Sequence, residues 1–357
     1  MQAKKHNTMN KKVITLIIVL LSTVILQACS SVNPLLRYNE VKKEDVPLQE
    51  RKYPAPEKYM DMGDYKLCYI EYGEGEPLLI LPGVNLSVHN WRYNLPRYFK
   101  KYKVYCIDFP GYGKSGMPDA DYKIEFFSDA VMKFMDKKGI KKTNLLGHSL
   151  GGQVAIYLAA QHPERVNKLI LETATGVRPR YGILEDLMIM WFITEDRFAN
   201  LPLHTLREYT EKNFYNVCDA CEELFWYQAA KRLHNQGTKE YEKRNRAFVR
   251  GVRNIIMTSV RDKVKKIDHP TLIIWGRDDT LCNVKDAYFL NEQMKNSRLF
   301  VIENCGHQPH LERPIDYDEA LFDFLDKNEA SEDSSIKKKY PSIEELVESE
   351  VKEVEKE

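Results

Sequence analysis

The stretch Leu145-Leu146-Gly147-His148-Ser149-Leu150-Gly151-Gly152 sets one serine between two glycines, directly after a short apolar run. A G-x-S-x-G sequence is a turn in which small neighbours let a strand reverse sharply into a helix, leaving the serine hydroxyl at the tip. Both flanks fit. Residues 143–146 are short and apolar, and residues 153–160 (QVAIYLAA) are helix formers with one face suited to burial. Taken alone the pattern is equally a glycine-rich turn without chemistry, so its surroundings have to decide.

Outward from the serine, strand-like and helix-like segments alternate. Residues 65–72 (YKLCYIEY), 77–81 (PLLIL), 103–107 (KVYCI), 168–171 (KLIL), 271–275 (TLIIW) and 298–303 (RLFVIE) read as strands, and residues 126–138 as an amphipathic helix. That alternation predicts an α/β fold, a mostly parallel sheet flanked by helices. It stops over residues 176–267, which are rich in Leu, Met, Phe, Tyr and Trp at helical spacing and include the apolar stretch 187–193. A helical insertion of this size between two core strands predicts a cap, with its Met and aromatic stripe packed onto the core and part of it lining a pocket. The core then comprises residues 58–175 and 268–326, and the charged residues 327–357 read as a disordered tail with a weakly helical end.

A chain of 357 residues with 43% hydrophobic content has no difficulty building such a core. Its 53 basic and 52 acidic residues leave a net charge of +1, so no global basic field would recruit nucleic acid. The N-terminus carries another signal. Lys11-Lys12 precede the apolar residues 13–26, which lead into Gln27-Ala28-Cys29-Ser30. A basic start, an apolar core short for a span and a small residue at the cut site describe a signal peptide over residues 1–29, with an uncleaved anchor as the alternative. Met1 and Met9 both stand as candidate starts. Cys29 after Leu26-Gln27-Ala28 also resembles the lipobox of bacterial lipoproteins. The resemblance implies lipid on Cys29, residues 30–57 as a tether, and a membrane-anchored protein of the bacterial cell envelope.

Export makes disulfides permissible among the remaining cysteines. Cys68 and Cys106 lie in strand-like runs and read as core, and Cys218-Asp219-Ala220-Cys221 is a lone C-x-x-C with no second pair for zinc. Cys282 and Cys305 each fall close to a motif described below, so a bridge between them is one option.

A serine hydroxyl is a weak nucleophile until a base takes its proton, and the base needs a third group to orient it. Trp275-Gly276-Arg277-Asp278-Asp279 and Gly306-His307-Gln308-Pro309-His310-Leu311-Glu312 follow two later strands and offer both. The order serine, acid, histidine, with the intervening cap, resembles the α/β-hydrolase superfamily over residues 59–324, in the branch of capped esterase-like, epoxide-hydrolase-like and C–C-hydrolase-like enzymes. That resemblance implies Ser149 as nucleophile, Asp279 as acid and His307 as base, with Asp278 and His310 as their rivals. It also implies an oxyanion hole from the backbone N–H groups of Val84 and Leu150, although Pro82 stands where the family usually has histidine. His148 is expected to be structural, and His89 and His162 to be surface groups.

The implied reaction is acyl transfer from a carboxylic ester of a small to medium hydrophobic or lipid substrate to water, with no cofactor and no metal. Serine at the elbow argues against dehalogenase and epoxide hydrolase chemistry, which use aspartate there. A C–C hydrolase of ring-cleavage products is the alternative, ranked lower because Gln308 and Pro82-Gly83-Val84-Asn85 depart from that pattern. A perhydrolase side activity would use the same three residues, and a silent relative that binds a hydrophobic ligand is the non-enzymatic reading.

Overall fold

Short leucine-, isoleucine- and valine-rich runs build the centre of the molecule. The structure, a computed structural model, describes residues 55–178, 187 and 190–326. Among these residues one sheet contains β1 (Glu57–Asp61), β2 (Lys66–Tyr72), β3 (Pro77–Leu81), β4 (Lys103–Ile107), β5 (Thr143–His148), β6 (Val166–Glu172), β7 (Thr271–Gly276) and β8 (Ser297–Ile302). Their spatial order is β1-β2-β4-β3-β5-β6-β7-β8. Pairing is antiparallel for β1 with β2 and for β2 with β4, and parallel from there on.

Successive strand residues point to opposite faces, and both faces are covered. On one side Leu79, Leu81, Leu145, Leu171 and Ile273 pack with α1 (Ile124–Lys138), α2 (Leu150–Gln161) and α7 (Val284–Gln293). On the other, Leu78, Ile80, Leu146, Ile170 and Ile274 meet Trp91, Tyr98 and α8 (Pro314–Asp326). Two covered faces explain why these strands are continuously apolar rather than alternating. Each fully buried leucine or isoleucine contributes on the order of 2 kcal/mol.

Between β6 and β7 the described residues form helices and no strand: α3 (Glu195–Ala199), α4 (Leu203–Glu211), α5 (Asp219–Asn235) and α6 (Lys239–Met257). Part of the expected stripe does not pack. Leu187, Met190, Trp191 and Phe192 are exposed, with the Arg197 guanidinium 6.0 Å from the Trp191 ring and 5.4 Å from the Phe192 ring. Helical spacing says which residues share a face, and only the fold says whether that face meets another.

Glu57–Asp61, at the border of the supposed tether, is an edge strand paired to β2. Its residues are mostly exposed, so there was no apolar alternation to announce it. All six described cysteines are free, and Cys282 and Cys305 belong to cores on opposite faces of the sheet, which keeps them apart. Residues 1–29 with Cys29, most of the tether and the tail 327–357 lie outside the described residues.

Candidate active site

The crossover from β3 out to β4 and back to β5 leaves a crevice at the carboxyl ends of β3 and β5, where open α/β sheets bind ligands. Leu81 and Gly147 are register partners there, so the loops that follow them start side by side. Ser149 occupies the turn between β5 and α2 with φ 53° and ψ −113°. A non-glycine residue in such a conformation costs on the order of 1–3 kcal/mol and needs a reason.

The two glycines give room for it. A Cβ on Gly147 would lie 2.2 Å from the Gly151 carbonyl oxygen, and one on Gly151 would lie 2.1 Å from that of Leu81. Any side chain at either position would push α2 away from the ends of β3 and β5. The Ser149 N–H donates to the Glu172 carbonyl at 2.9 Å, which fastens the elbow to β6.

Asp279 and His307 follow β7 and β8 and converge on this serine. His307 Nε2 is 3.0 Å from Ser149 Oγ, and Nδ1 is 2.7 Å from Asp279 Oδ2. A carboxylate only accepts, so the imidazole proton belongs on Nδ1 and Nε2 is left to accept from the hydroxyl. Asp279 Oδ1 accepts the N–H groups of Leu281 and Cys282, both at 2.8 Å. The Trp275 indole secures that loop by donating to the Cys282 carbonyl at 2.8 Å. Burial alone would push the His307 pKa down, but Asp279, with Cys282 beside it, holds it well above the ordinary histidine value. Each of the three side chains is buried, at 5% exposure for Ser149, 6% for Asp279 and 4% for His307.

The rivals stand elsewhere. Asp278 is exposed, and its N–H donates to the Cys305 carbonyl at 3.0 Å. His310 is buried with Nδ1 2.7 Å from Glu172 Oε1. His89, expected at the surface, is buried at 7% exposure with Nε2 2.8 Å from Glu223 Oε1, in a group that also includes Arg92. That pairing joins Val88–Trp91 to a cap helix 134 residues away, a separation that leaves no mark in sequence.

Neither the Val84 nor the Leu150 N–H is taken by a turn or loop partner among the described residues. Val88, which follows the loop carrying Val84, is held by buried Asp108, whose Oδ1 accepts Val88 N–H at 2.8 Å and whose Oδ2 accepts Lys114 N–H at 2.7 Å.

Glu312 was missed in sequence. Its Oε1 accepts Gly306 N–H at 3.0 Å and Gln308 N–H at 3.3 Å, and Oε2 accepts Tyr215 N–H at 2.7 Å. The His307 N–H in turn donates to the Asn213 carbonyl at 2.8 Å. The helical segment between β6 and β7 thereby holds the loop that carries His307. An acid five positions after the histidine was visible, but nothing distinguished it from an ordinary helix carboxylate.

Two groups of side chains, His148 with Glu172 and His310, and Asp279 with Cys282 and His307, bring their donor atoms within 4.8 Å of one another. In each the carboxylate and imidazole already share a direct hydrogen bond, the arrangement that orients and moves a proton.

Residues 76–314 match the family described as alpha/beta hydrolase fold. The chain belongs to the alpha/beta hydrolase fold family. It is a hydrolase of that fold. Over 278 residues it is 26% identical to a 2-hydroxy-6-oxo-6-(2'-aminophenyl)hexa-2,4-dienoic acid hydrolase of Metapseudomonas resinovorans, covering 76% of this chain and 91% of that one. To a monoacylglycerol lipase of Xenopus laevis it is 27% identical over 276 residues, 75% of this chain and 81% of the other. Among solved structures, an esterase from Exiguobacterium antarcticum superimposes with a TM-score of 0.64 at 23% identity, over 75% of this chain and 99% of its own. At that identity the shared property is the α/β-hydrolase fold.

Proposed function

We propose that the protein is a serine hydrolase that cleaves a carboxylic ester of a small to medium hydrophobic substrate through an acyl-enzyme. The observation that carries this reading is the continuous hydrogen-bonded line from Ser149 Oγ through His307 to Asp279, at 3.0 and 2.7 Å. As the serine oxygen attacks the carbonyl carbon, its proton passes to His307 Nε2, and Asp279 stabilises the imidazolium that forms. The developing oxyanion is met by the Val84 and Leu150 N–H groups. His307 then gives the proton to the leaving alcohol, which departs and leaves the acyl group on Ser149. A water activated by the same imidazole releases the acid and restores the serine.

A second reading is favoured by a relative named for acting on a dienoic acid with a 6-oxo group. There the same serine, histidine and aspartate would cleave a carbon–carbon bond beside a ketone. The experiment that tests both is turnover of a p-nitrophenyl ester series of increasing acyl length, set beside a 2-hydroxy-6-oxo-hexa-2,4-dienoate. Ester turnover, with Ser149→Ala lowering kcat by roughly 10,000-fold or more, is the expected result. Cleavage of the dienoate in its place would transfer the assignment to the C–C hydrolase class. Failure to cleave either substrate or take a fluorophosphonate label would leave a silent hydrophobic-ligand binder.

We propose further that Cys29 is lipidated and tethers this domain to a membrane of the bacterial cell envelope, which suits a lipid or other membrane-partitioned ester. The reading is supported by the basic Lys11-Lys12, the apolar residues 13–26 and the Ala28-Cys29 junction. Metabolic labelling with palmitate should tag the full chain and not Cys29→Ala. Equal labelling of both would refute the anchor.

A further inference from the structure

One buried imidazole beside the nucleophile is unused by the reaction. His148 is 0% exposed, and its Nε2 lies 2.8 Å from the backbone carbonyl oxygen of His307. A carbonyl only accepts, so Nε2 carries the proton and Nδ1 is a bare acceptor, without a hydrogen-bond partner among the described residues. Burial pushes the ring's pKa down to about 3, which keeps it neutral and in this tautomer. Nδ1 faces the oxyanion loop: a Cβ built on Gly83 would lie 2.8 Å from Nδ1 and 3.1 Å from Cε1. The residue that precedes Ser149 in the chain is therefore hydrogen-bonded through its ring to the backbone of His307 and packed against the residue before Val84.

Behind it stands a group of buried, mutually bonded side chains. The His310 ring meets His148 edge-on with centroids 5.2 Å apart, and stacks on Trp91 at 4.1 Å. Glu172, also 0% exposed, accepts from the His310 backbone N–H at 3.1 Å and from Tyr317 OH at 3.2 Å, besides its bond to His310 Nδ1 at 2.7 Å. Burial alone would raise the Glu172 carboxyl; the facing His310 outweighs it and holds the pKa below the usual carboxylate range. The backbone carbonyl of this glutamate is the one that receives the Ser149 N–H. Thr173 Oγ1 supplies a second, longer bond to the His307 carbonyl at 3.4 Å.

We propose that His148 is a positioning residue that holds the Ser149 elbow, the backbone of His307 and the Gly83 loop in one register, with the Glu172–His310 pair as its backstop. This rests on the serine-hydrolase reading. Nucleophile, base and oxyanion donors come from three separate loops, and errors of an ångström between them cost about 100-fold in rate. A group that touches all three sets their spacing without meeting the substrate.

The test compares the wild type with His148→Leu, which removes the donor at similar bulk, and His148→Gln, whose amide N–H reaches toward the Nε2 position. Steady-state turnover of a p-nitrophenyl ester and the rate of fluorophosphonate labelling are measured on each. For the leucine variant kcat and labelling rate should fall about 10- to 100-fold with KM within about twofold, and glutamine should restore most of the loss. Wild-type kcat in the leucine variant, or a glutamine variant as slow as leucine, would overturn the assignment. If His148→Leu does not fold by circular dichroism, Gly83→Ala decides, because its methyl presses on Nδ1 from the other side. Lower kcat at unchanged KM supports the proposal, and wild-type kcat refutes it. A wild-type protein that takes no label overturns the serine-hydrolase reading and this inference with it, whereas a labelled wild type with unaffected variants overturns the inference alone.

Discussion

At the scale of single residues, the proposed serine-hydrolase chemistry depends on one proton on His307. Asp279 raises the imidazole's pKa well above its ordinary value of 6.5, yet only the neutral ring can accept the Ser149 proton. Activity must therefore rise with pH through that raised value. The acid limb of the kcat/KM profile should be centred above 6.5, and a limb at or below 6.5 would show that Asp279 does not dominate in solution. Stability runs the other way. The folded-state pKa exceeds the unfolded one, so this group's contribution is complete below about 6.5 and is lost as pH rises through the folded value. In Asp279→Asn the acid limb should move to lower pH while kcat falls by roughly 10,000-fold, as expected when the orienting carboxylate of a serine triad is neutralised.

The elements matter because each group of the candidate site sits where one ends. Ser149 joins β5 to α2, the Val84 loop follows β3, Asp279 follows β7 and His307 follows β8. The strands are rigid and buried, so the loops inherit fixed starting points. The elbow is a tight junction, with the first turn of α2 lying against the Leu81 carbonyl. Gly151→Ala should accordingly lower kcat by about 100-fold through an ångström-scale shift, and unfold the chain at a lower temperature. An alanine variant with unaltered turnover would mean that α2 shifts without moving Ser149. Most of this level could be read in advance: the core strands were placed within a few residues, because two covered faces make them continuously apolar. The edge strand Glu57–Asp61 could not, since backbone pairing with β2 rather than side-chain burial holds it there.

For the molecule as a whole, the buried groups behind the candidate site contribute to its response to acid. His148 is held neutral to about pH 3 by burial, whereas an unfolded histidine takes a proton near 6.5. A depressed folded-state pKa contributes stability that is present above the unfolded value and lost as pH falls. Loss should begin near pH 6.5, run at about 1.4 kcal/mol per pH unit for this one proton, and level off as pH passes through about 3. Glu172, depressed below the usual carboxylate range, adds to it below about pH 4.5. Urea unfolding midpoints between pH 7 and 4 check this, and His148→Gln should flatten the upper part of the slope. A wild-type midpoint unchanged from pH 7 to pH 5 would contradict it.

Local pattern determined the order of strands and helices, the sharp turn at Ser149 and the neighbourhood in which an acid and a base had to stand, because periodicity and turn chemistry are properties of adjacent residues. The resemblance to the α/β-hydrolase superfamily selected Asp279 over Asp278 and His307 over His310, and the fold supplied the distances. What only the tertiary structure decided depends on partners far away in the chain. His148 meets the His307 carbonyl across 159 residues, Glu172 takes His310 across 138, and Glu312 holds Tyr215 across 97. No short-range spacing encodes those contacts. They arise because parallel strands bring the ends of β3, β5, β6, β7 and β8 to one edge of the sheet, where residues unrelated in sequence must satisfy one another's buried hydrogen bonds.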